Sequence, residues 1–309
     1  MHQSYHAKAA SSSASKISVR PFLQELKLNP GQPSAQYDLI VANDSTQAQE
    51  FNISAVNFGS LDETGGLAFE GSNSIKIDTY GLAKWIGLSQ DSFQLESGQQ
   101  ATVRVSVNND TNLTPGAHYA AIITSAKAQD GSSQQQLSVN PKVSSLLFIT
   151  KLGGEKYDIH LESISHNGTF WSVPTAATIR IKSTGNTYIV PRGIIKLNQN
   201  DLTISKGIIN PQSSIVLPRT TRSFEVPLNP LSKHSSGWFF TIYKLQVDYR
   251  YDGIDHYATK TIDVRVLNKR SLIALLWLII LVLVIKRLFI DNQNLRKRIK
   301  PKSVKPRKR

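Results

Sequence analysis

Read for the spacing of its apolar residues, the chain breaks into short alternating runs separated by turn formers. In Ala101-Thr102-Val103-Arg104-Val105-Ser106-Val107 every second residue is apolar. Successive strand side chains point to opposite faces, so Ala101, Val103, Val105 and Val107 share one face that needs a core. Tyr37 to Ala42, Phe51 to Val56, Tyr119 to Thr124 and Val143 to Ile149 predict further strands. Asn43-Asp44-Ser45, Thr114-Pro115-Gly116 and Asp130-Gly131 supply turns between them. No stretch before Thr150 keeps a helical period.

A second block, from about Tyr157 to Asn268, repeats this grammar. Tyr243, Leu245, Val247, Tyr249 and Tyr251 alternate with polar residues, as do Ile262, Val264 and Val266. The two blocks also correspond in order. Each has a polar turn after an early strand (Asn43 to Thr46, then Ser183 to Asn186) and then a further strand (Val103 to Val107, then Phe224 to Leu228). Each then passes through glycine and aromatics into a long strand (Gly116-Ala117-His118-Tyr119, then Gly237-Trp238-Phe239-Phe240). This reads as an internal duplication of one sandwich, and many short strands at even spacing predict immunoglobulin-like sheets that bury their inner faces together. The expected fold is all-β: two tandem immunoglobulin-like β-sandwich domains followed by one transmembrane α-helix. The expected divisions are a leader at 1–16, a first sandwich at 17–150, a second at 151–268, a transmembrane helix at 269–290 and a basic tail at 291–309. Gly153-Gly154 marks the expected hinge.

The pattern changes at Ser271 to Ile285, fifteen residues without a charge, followed by Lys286-Arg287 and then Leu288-Phe289-Ile290. At ~1.5 Å per residue the uncharged run spans only ~22 Å of a ~30 Å hydrocarbon layer. Counting to Ile290 restores the length, because Lys286 and Arg287 can run their stems along the helix and lift their charges to the headgroups. A helix buried in a soluble core is the alternative reading. Lys269 and Arg270 flank the run on one side and a far larger basic excess flanks it on the other, so the positive-inside rule predicts a cytoplasmic C-terminal tail and sandwiches outside the cell.

Charge and composition sharpen this picture. The 309 residues carry a formal net charge of +14. Eleven basic residues against the single acid Asp291 lie from Lys286 onward, so +10 of that charge belongs to the C-terminal stretch and the sandwiches are nearly neutral. No aromatic follows Phe289 to stack on bases, so the tail is expected to orient the protein and hold anionic lipid, with no nucleic-acid partner. There is no cysteine, which excludes disulfides and thiolate metal sites. Met1 to Lys16 contains Ala7-Lys8-Ala9-Ala10, similar to the small-residue end of a signal peptide, yet lacks the apolar segment such a peptide needs. One expectation is that the true start lies upstream; a flexible leader is the other.

Catalytic chemistry finds no foothold in the pattern. His2, His6, His118, His160, His166, His234 and His256 are scattered, with no pair at helical ligand spacing. The phosphate-binding loop, the dinucleotide glycine fingerprint and the nucleophile elbow are absent. The expectation is a non-enzyme with no cofactor, no metal and no small-molecule substrate. Leu217-Pro218-Arg219-Thr220-Thr221 resembles a sortase signal, but Thr221 stands where glycine is required, so a loop entering a strand is the preferred reading. Trp85 and Trp171 are candidate sugar-stacking platforms, with buried sandwich aromatics as the alternative. Asn52-Ile53-Ser54, Asn112-Leu113-Thr114 and Asn167-Gly168-Thr169 match the glycosylation sequon but are equally turn sequences.

Several phrases carry a resemblance. Leu28-Asn29-Pro30-Gly31-Gln32, Leu39 to Asn43, Asn57-Phe58-Gly59 through Glu63-Thr64-Gly65-Gly66, Trp85-Ile86, and Pro115-Gly116-Ala117-His118-Tyr119-Ala120-Ala121-Ile122 resemble the DUF916 family, the WxL-interacting proteins of Gram-positive surfaces. The likeness covers residues 17 to 150, and the remainder matches in layout. It implies a membrane-anchored surface protein that binds cell-wall polymer or partner surface proteins without catalysis. The family offers no fixed ligand motif to place on this chain, so ligand residues remain open beyond Trp85 and Trp171. An assembly chaperone for surface proteins is the alternative function, and it would need an edge groove with apolar pockets.

Overall fold

The computed structural model describes residues 16–70, 79–128, 141–232 and 239–299, with side chains described through Asn292. The leader through Ser15, the Asp130-Gly131 turn, His2, His6, His234, Gly237-Trp238 and the tail from residue 300 lie outside the described residues.

The first group of strands forms two facing sheets. β1 (Ile17–Arg20), β3 (Ser34–Asn43), β9 (Gln100–Asn108) and β7 (Ile86–Leu88) make one, in that order across the sheet. β2 (Leu23–Leu28), β11 (Lys142–Lys151), β10 (Gly116–Ala128), β4 (Gln49–Val56) and β8 (Ser92–Leu95) make the other. The chain crosses between the sheets at Pro21-Phe22: β1 pairs antiparallel with β3, whereas β2 pairs parallel with β11. A small hairpin, β5 (Phe58–Ser60) with β6 (Leu67–Phe69), stands off this sandwich.

The alternation read from the sequence is what the sandwich buries. Val103, Val105 and Val107 of β9 are fully enclosed, facing Leu39 and Val41 of β3 and, from the opposite sheet, Phe51, Ile122, Leu147 and Ile149. Burying a Val, Leu, Ile or Phe contributes roughly 1.5 to 3 kcal/mol apiece relative to exposure, which makes this core the main stabiliser of the first domain.

The second group repeats the plan. β12 (Ile159–His166), β13 (Ala176–Ser183) and β16 (Thr221–Pro227) form one sheet. The other consists of β17 (Asn229–Pro230), β15 (Leu202–Ile209), β14 (Pro191–Gln199), β18 (Phe240–Tyr251) and β19 (Ala258–Leu267), in that order. Tyr243, Leu245 and Val247 point into its core, against Ile179, Ile181, Ile195 and Leu197. The pairing β3 with β9 and β4 with β10 with β11 is reproduced as β13 with β16 and β14 with β18 with β19. The early turns correspond too. Buried Asn43 donates through Nδ2 to Gln47 O (2.8 Å), and buried Ser183 donates through Oγ to Thr187 O (3.1 Å), each reaching four residues on. The chain is thus two tandem immunoglobulin-like sandwiches.

After β19 comes α1 (Lys269–Ile299), the one long helix among the described residues. Asn268 caps it, accepting the Arg270 N–H at Oδ1 (3.0 Å). The most apolar eighteen-residue window within Lys269–Asn292 has a mean hydropathy of 2.7, and none of that window is buried. The helix is therefore long and apolar enough to cross a membrane, and among the described residues no other element covers that window. Lys269 and Arg270 lie in its first turn, and Lys286 and Arg287 sit exposed along it.

Candidate functional site

The strands that decide how the two sandwiches meet are those whose sequence is apolar on both sides. In β11, Leu147 and Ile149 enter the first core, while Leu146 and Phe148 face the other way. In β10, Ala120 and Ile122 point inward, while Tyr119 and Ala121 point outward. This outer face is covered by a third apolar cluster, in which Phe58, Tyr119 and Phe148 of the first domain pack with Tyr188, Ile215 and Leu217 of the second. Phe58 is fully buried, with its ring 4.9 Å from that of Tyr119 and 5.7 Å edge-on from that of Phe148. Phe148 in turn meets the Tyr188 ring edge-on at 5.2 Å. Burial pushes the Tyr188 phenol up to about 12 and raises that of Tyr119 as well, so both stay neutral at any physiological pH.

Polar contacts seal the rim of this interface. The β5–β6 hairpin reaches across to the second sandwich, where Arg180 Nε donates to Glu63 Oε2 (2.6 Å) and a second guanidinium nitrogen takes Oε1. Arg180 also pairs with Glu162 at 3.2 Å. The Ser223 N–H donates to Glu63 O (2.7 Å). On the opposite side the Ala117 N–H donates to Asn186 O (2.9 Å), and Asn186 Nδ2 donates to Pro115 O and Gly154 O. Gly116 is required here: its φ is +116°, and a Cβ would lie 2.6 Å from Asn186 O. At the Gly153-Gly154 connection both N–H groups donate to Glu155 Oε2, at 2.8 and 3.1 Å.

Beside the aromatic cluster the two sandwiches leave a cleft of about 240 Å³. Leu23, Leu67, Leu146, Phe148, Ile215 and Leu217 give it an apolar floor, and Arg222 is the one ionisable side chain in its lining. Arg222 donates from Nη1 to Ile215 O (2.8 Å) and lies over the Phe224 ring at 5.7 Å. Burial lowers its pKa, but a guanidinium stays charged, and among the described residues it forms no ion pair. A second hollow, of about 170 Å³, opens on the same side chain and is lined by Thr64, Asn210 and Glu225 among others. An apolar trough ending at an unneutralised guanidinium suits a partner segment with a greasy side chain beside an acceptor or a carboxylate.

The sequence candidates separate. Trp85 ends a short 3-10 turn, Ala83–Trp85, and packs against the first core, with Lys84 Nζ 4.1 Å from its ring centre and His118 edge-on at 6.0 Å. It is chiefly a structural aromatic. Trp171 departs from the buried reading: it is 47% exposed in the β12–β13 loop, next to Phe170 at 71%. The Leu217–Thr221 segment is a loop entering β16, its Thr220 folding back onto Leu217 O, with Leu217 buried at the interface. Asn167 is used by its own loop, accepting the N–H groups of Thr175 and Ala176. Among the described residues no three His, Asp or Glu side chains converge as a metal site would require. The interface roles of Phe58, Tyr119, Phe148, Tyr188, Glu63, Arg180 and Arg222 were not singled out by sequence reasoning. The available signal was the unbroken apolar run Leu146-Leu147-Phe148-Ile149, since a strand wet on one side alternates.

No protein-family model matches the chain, and no curated protein matches it. Solved structures do. The crystal structure of the class 5 fimbriae chaperone CfaA is similar over 82% of this chain and 99% of its own, at 15% identity and a TM-score of 0.43. The E. coli chaperone DraB matches at 11% identity and 0.39, covering 82% of this chain and 97% of its own. The CsuC–CsuE chaperone–tip adhesion subunit pre-assembly complex of Acinetobacter baumannii also matches at 11% and 0.39, over 80% and 97%.

Two outcomes follow from the interface. Phe58→Ala should cost roughly 3 to 5 kcal/mol and split thermal unfolding of the chain in detergent into two calorimetric transitions; an unsplit, unshifted transition would show that the cluster does not couple the domains. His118 offers a pH test. Burial is the main reason its pKa lies below the ordinary 6.5, its Nε2–H donates to Thr114 O (2.8 Å), and Nδ1 is buried without a partner. The unfolded chain therefore binds a proton near pH 6.5 while the folded chain does not, so stability falls as pH drops through that value. Between pH 7 and 5.5 the melting temperature should fall further in the unsubstituted chain than in His118→Gln, and equal falls would contradict it.

Proposed function

We propose that this protein is a non-catalytic surface module, held by a single membrane pass, that presents two joined sandwiches to cell-wall polymer or to partner surface proteins. The observation that carries the reading is α1: an apolar helix with no buried surface, following the last strand directly. Water would not tolerate such a face, whereas a bilayer's hydrocarbon stabilises it. The eleven basic residues from Lys286 onward support a tail on the cytoplasmic side and sandwiches outside, as single-pass orientation follows lysine and arginine near the helix ends. The DUF916-like phrases support placement among WxL-interacting surface proteins; several of them, notably Asn57-Phe58-Gly59 and Pro115-Gly116, lie where the first sandwich meets the second.

Binding rather than turnover fits the chemistry present. The larger cleft has one charged group, Arg222, and the carboxylates of Glu63 and Glu162 are engaged by Arg180. Glu63 is held below the ordinary carboxylate range by its hydrogen bonds from Arg180, which suits an ion-pair partner and not a proton donor. A partner would seat an apolar side chain on Leu23, Leu146 and Leu217 and an acceptor on Arg222.

The test uses the full chain in detergent on beads, exposed to purified cell wall and separately to a surface-protein extract. Capture by one of the two, reduced several-fold by Arg222→Ala together with Leu217→Ser, is the expected outcome. Failure on both removes the binding reading. Capture only of incompletely assembled surface subunits would favour an assembly chaperone instead.

A further inference from the structure

The second sandwich ends in a ring of exposed apolar side chains at the point where α1 leaves it. Phe170 is 71% exposed, Trp171 47%, Phe240 56%, Leu202 58% and Leu231 62%. They come from separate loops and strand ends that the sheets bring to one end of the domain. Phe240 opens β18 and pairs with Leu267, the last residue of β19. Phe170 O accepts the Leu267 N–H (2.6 Å), and Phe239 O accepts the Asn268 N–H (2.8 Å). Leu202 follows the β14–β15 turn, and Leu231, just past β17, donates its N–H to Ile204 O (2.8 Å).

The path from this patch to the helix has no slack. A single residue, Asn268, separates β19 from α1, and it is fixed on both sides, by its N–H on Phe239 O and by its Oδ1 under the Arg270 N–H. If Ser271 to Ile290 fills the ~30 Å hydrocarbon layer, Asn268 lies only about 5 Å beyond its edge. That depth is inside the headgroup layer. Side chains hydrogen-bonded through their backbones to Leu267 and Asn268 cannot then stand clear in water. Aromatic rings are the residues favoured at this depth, where the body of the ring meets acyl chains and the indole N–H meets headgroups. Exposed apolar patches on an otherwise polar domain mark contact surfaces.

We propose that this end of the second sandwich is seated in the headgroup layer of the bilayer. Phe170, Trp171 and Phe240 act as interfacial anchors, and Leu202 and Leu231 extend the contact. The partner is the lipid interface itself, and its effect is to fix the tilt of the domain on the membrane instead of leaving it to swing on α1. The proposal rests on α1 being a membrane span, and the experiment separates the two.

The chain has no cysteine, so a nitroxide can be placed at one engineered site at a time in the full chain, reconstituted in lipid nanodiscs. Labels at Trp171→Cys and Leu231→Cys report the patch; both positions are exposed, so labelling leaves the core intact. Leu281→Cys reports the middle of the span and Phe22→Cys, 76% exposed in the first domain, reports water. Relaxation by oxygen and by a water-soluble nickel chelate gives depth. Expected is a loss of nickel accessibility and a gain in oxygen accessibility at Trp171→Cys and Leu231→Cys relative to Phe22→Cys, with Leu281→Cys deepest. Phe170→Ser with Phe240→Ser should return the Leu231→Cys label toward the water value. If the patch labels match Phe22→Cys while Leu281→Cys is deep, the docking is wrong and the span stands. If Leu281→Cys is itself in water, the span reading fails and the proposal falls with it.

Discussion

The contact on which the rest depends is the packing of Phe58, Tyr119 and Phe148 against Tyr188, Ile215 and Leu217. Two sandwiches joined by a short glycine-bearing connection would ordinarily be expected to move relative to one another, because small polar interfaces within a chain resemble transient ones. Here the outer faces of β10 and β11 are apolar and would be left in water unless the second domain covered them. Separating the domains would uncover this face and break the edge-on contact of Phe148 with Tyr188, worth roughly 0.5 to 1.5 kcal/mol beyond area burial. The hydrogen bonds of Asn186 and the bidentate Arg180–Glu63 pair fix the register, and Gly116 permits the close approach. The cleft at Arg222 exists only because this arrangement is held.

The same continuity runs toward the membrane. β18 and β19 belong to the core of the second sandwich, β19 passes into α1 through one capped residue, and the helix has no buried face. Helix, second domain and first domain therefore follow one another with only short connections among the described residues. Such a chain of contacts would present the Arg222 cleft at a set height and angle above the lipid, whereas a loosely tethered module would sample many. Under the proposed binding role, this restriction would lower the ordering cost of each encounter.

Much of the fold was legible in the sequence because its strands obey period two. Val103, Val105 and Val107 were placed on one face by alternation alone, and all three are fully enclosed. The duplication showed in the order of turn, strand and aromatic, and both domains share the same strand pairing. The cleft was not legible. Alternation tells which face of a strand is buried, not which partner buries it, and Phe148 and Leu217 are sixty-nine positions apart in the chain. Trp85 and Trp171 looked equivalent as sequence, yet one packs on a core and the other lies in an exposed loop, since only the β12–β13 connection carries its tryptophan away from the sheets. Gly153-Gly154 read as a hinge because glycine is permissive; its hydrogen bonds with Glu155 and Asn186 carry no signal in the sequence.

Rigid presentation is the central claim, and a distance between the two sandwiches tests it most directly. With nitroxides at Lys127→Cys in β10 and Lys206→Cys in β15, both exposed and in a chain without other cysteines, pulsed dipolar spectroscopy on the full chain in nanodiscs should give one narrow distance distribution that broadens when Phe58 is replaced by alanine. A broad or multi-peaked distribution in the chain carrying Phe58 would contradict the account.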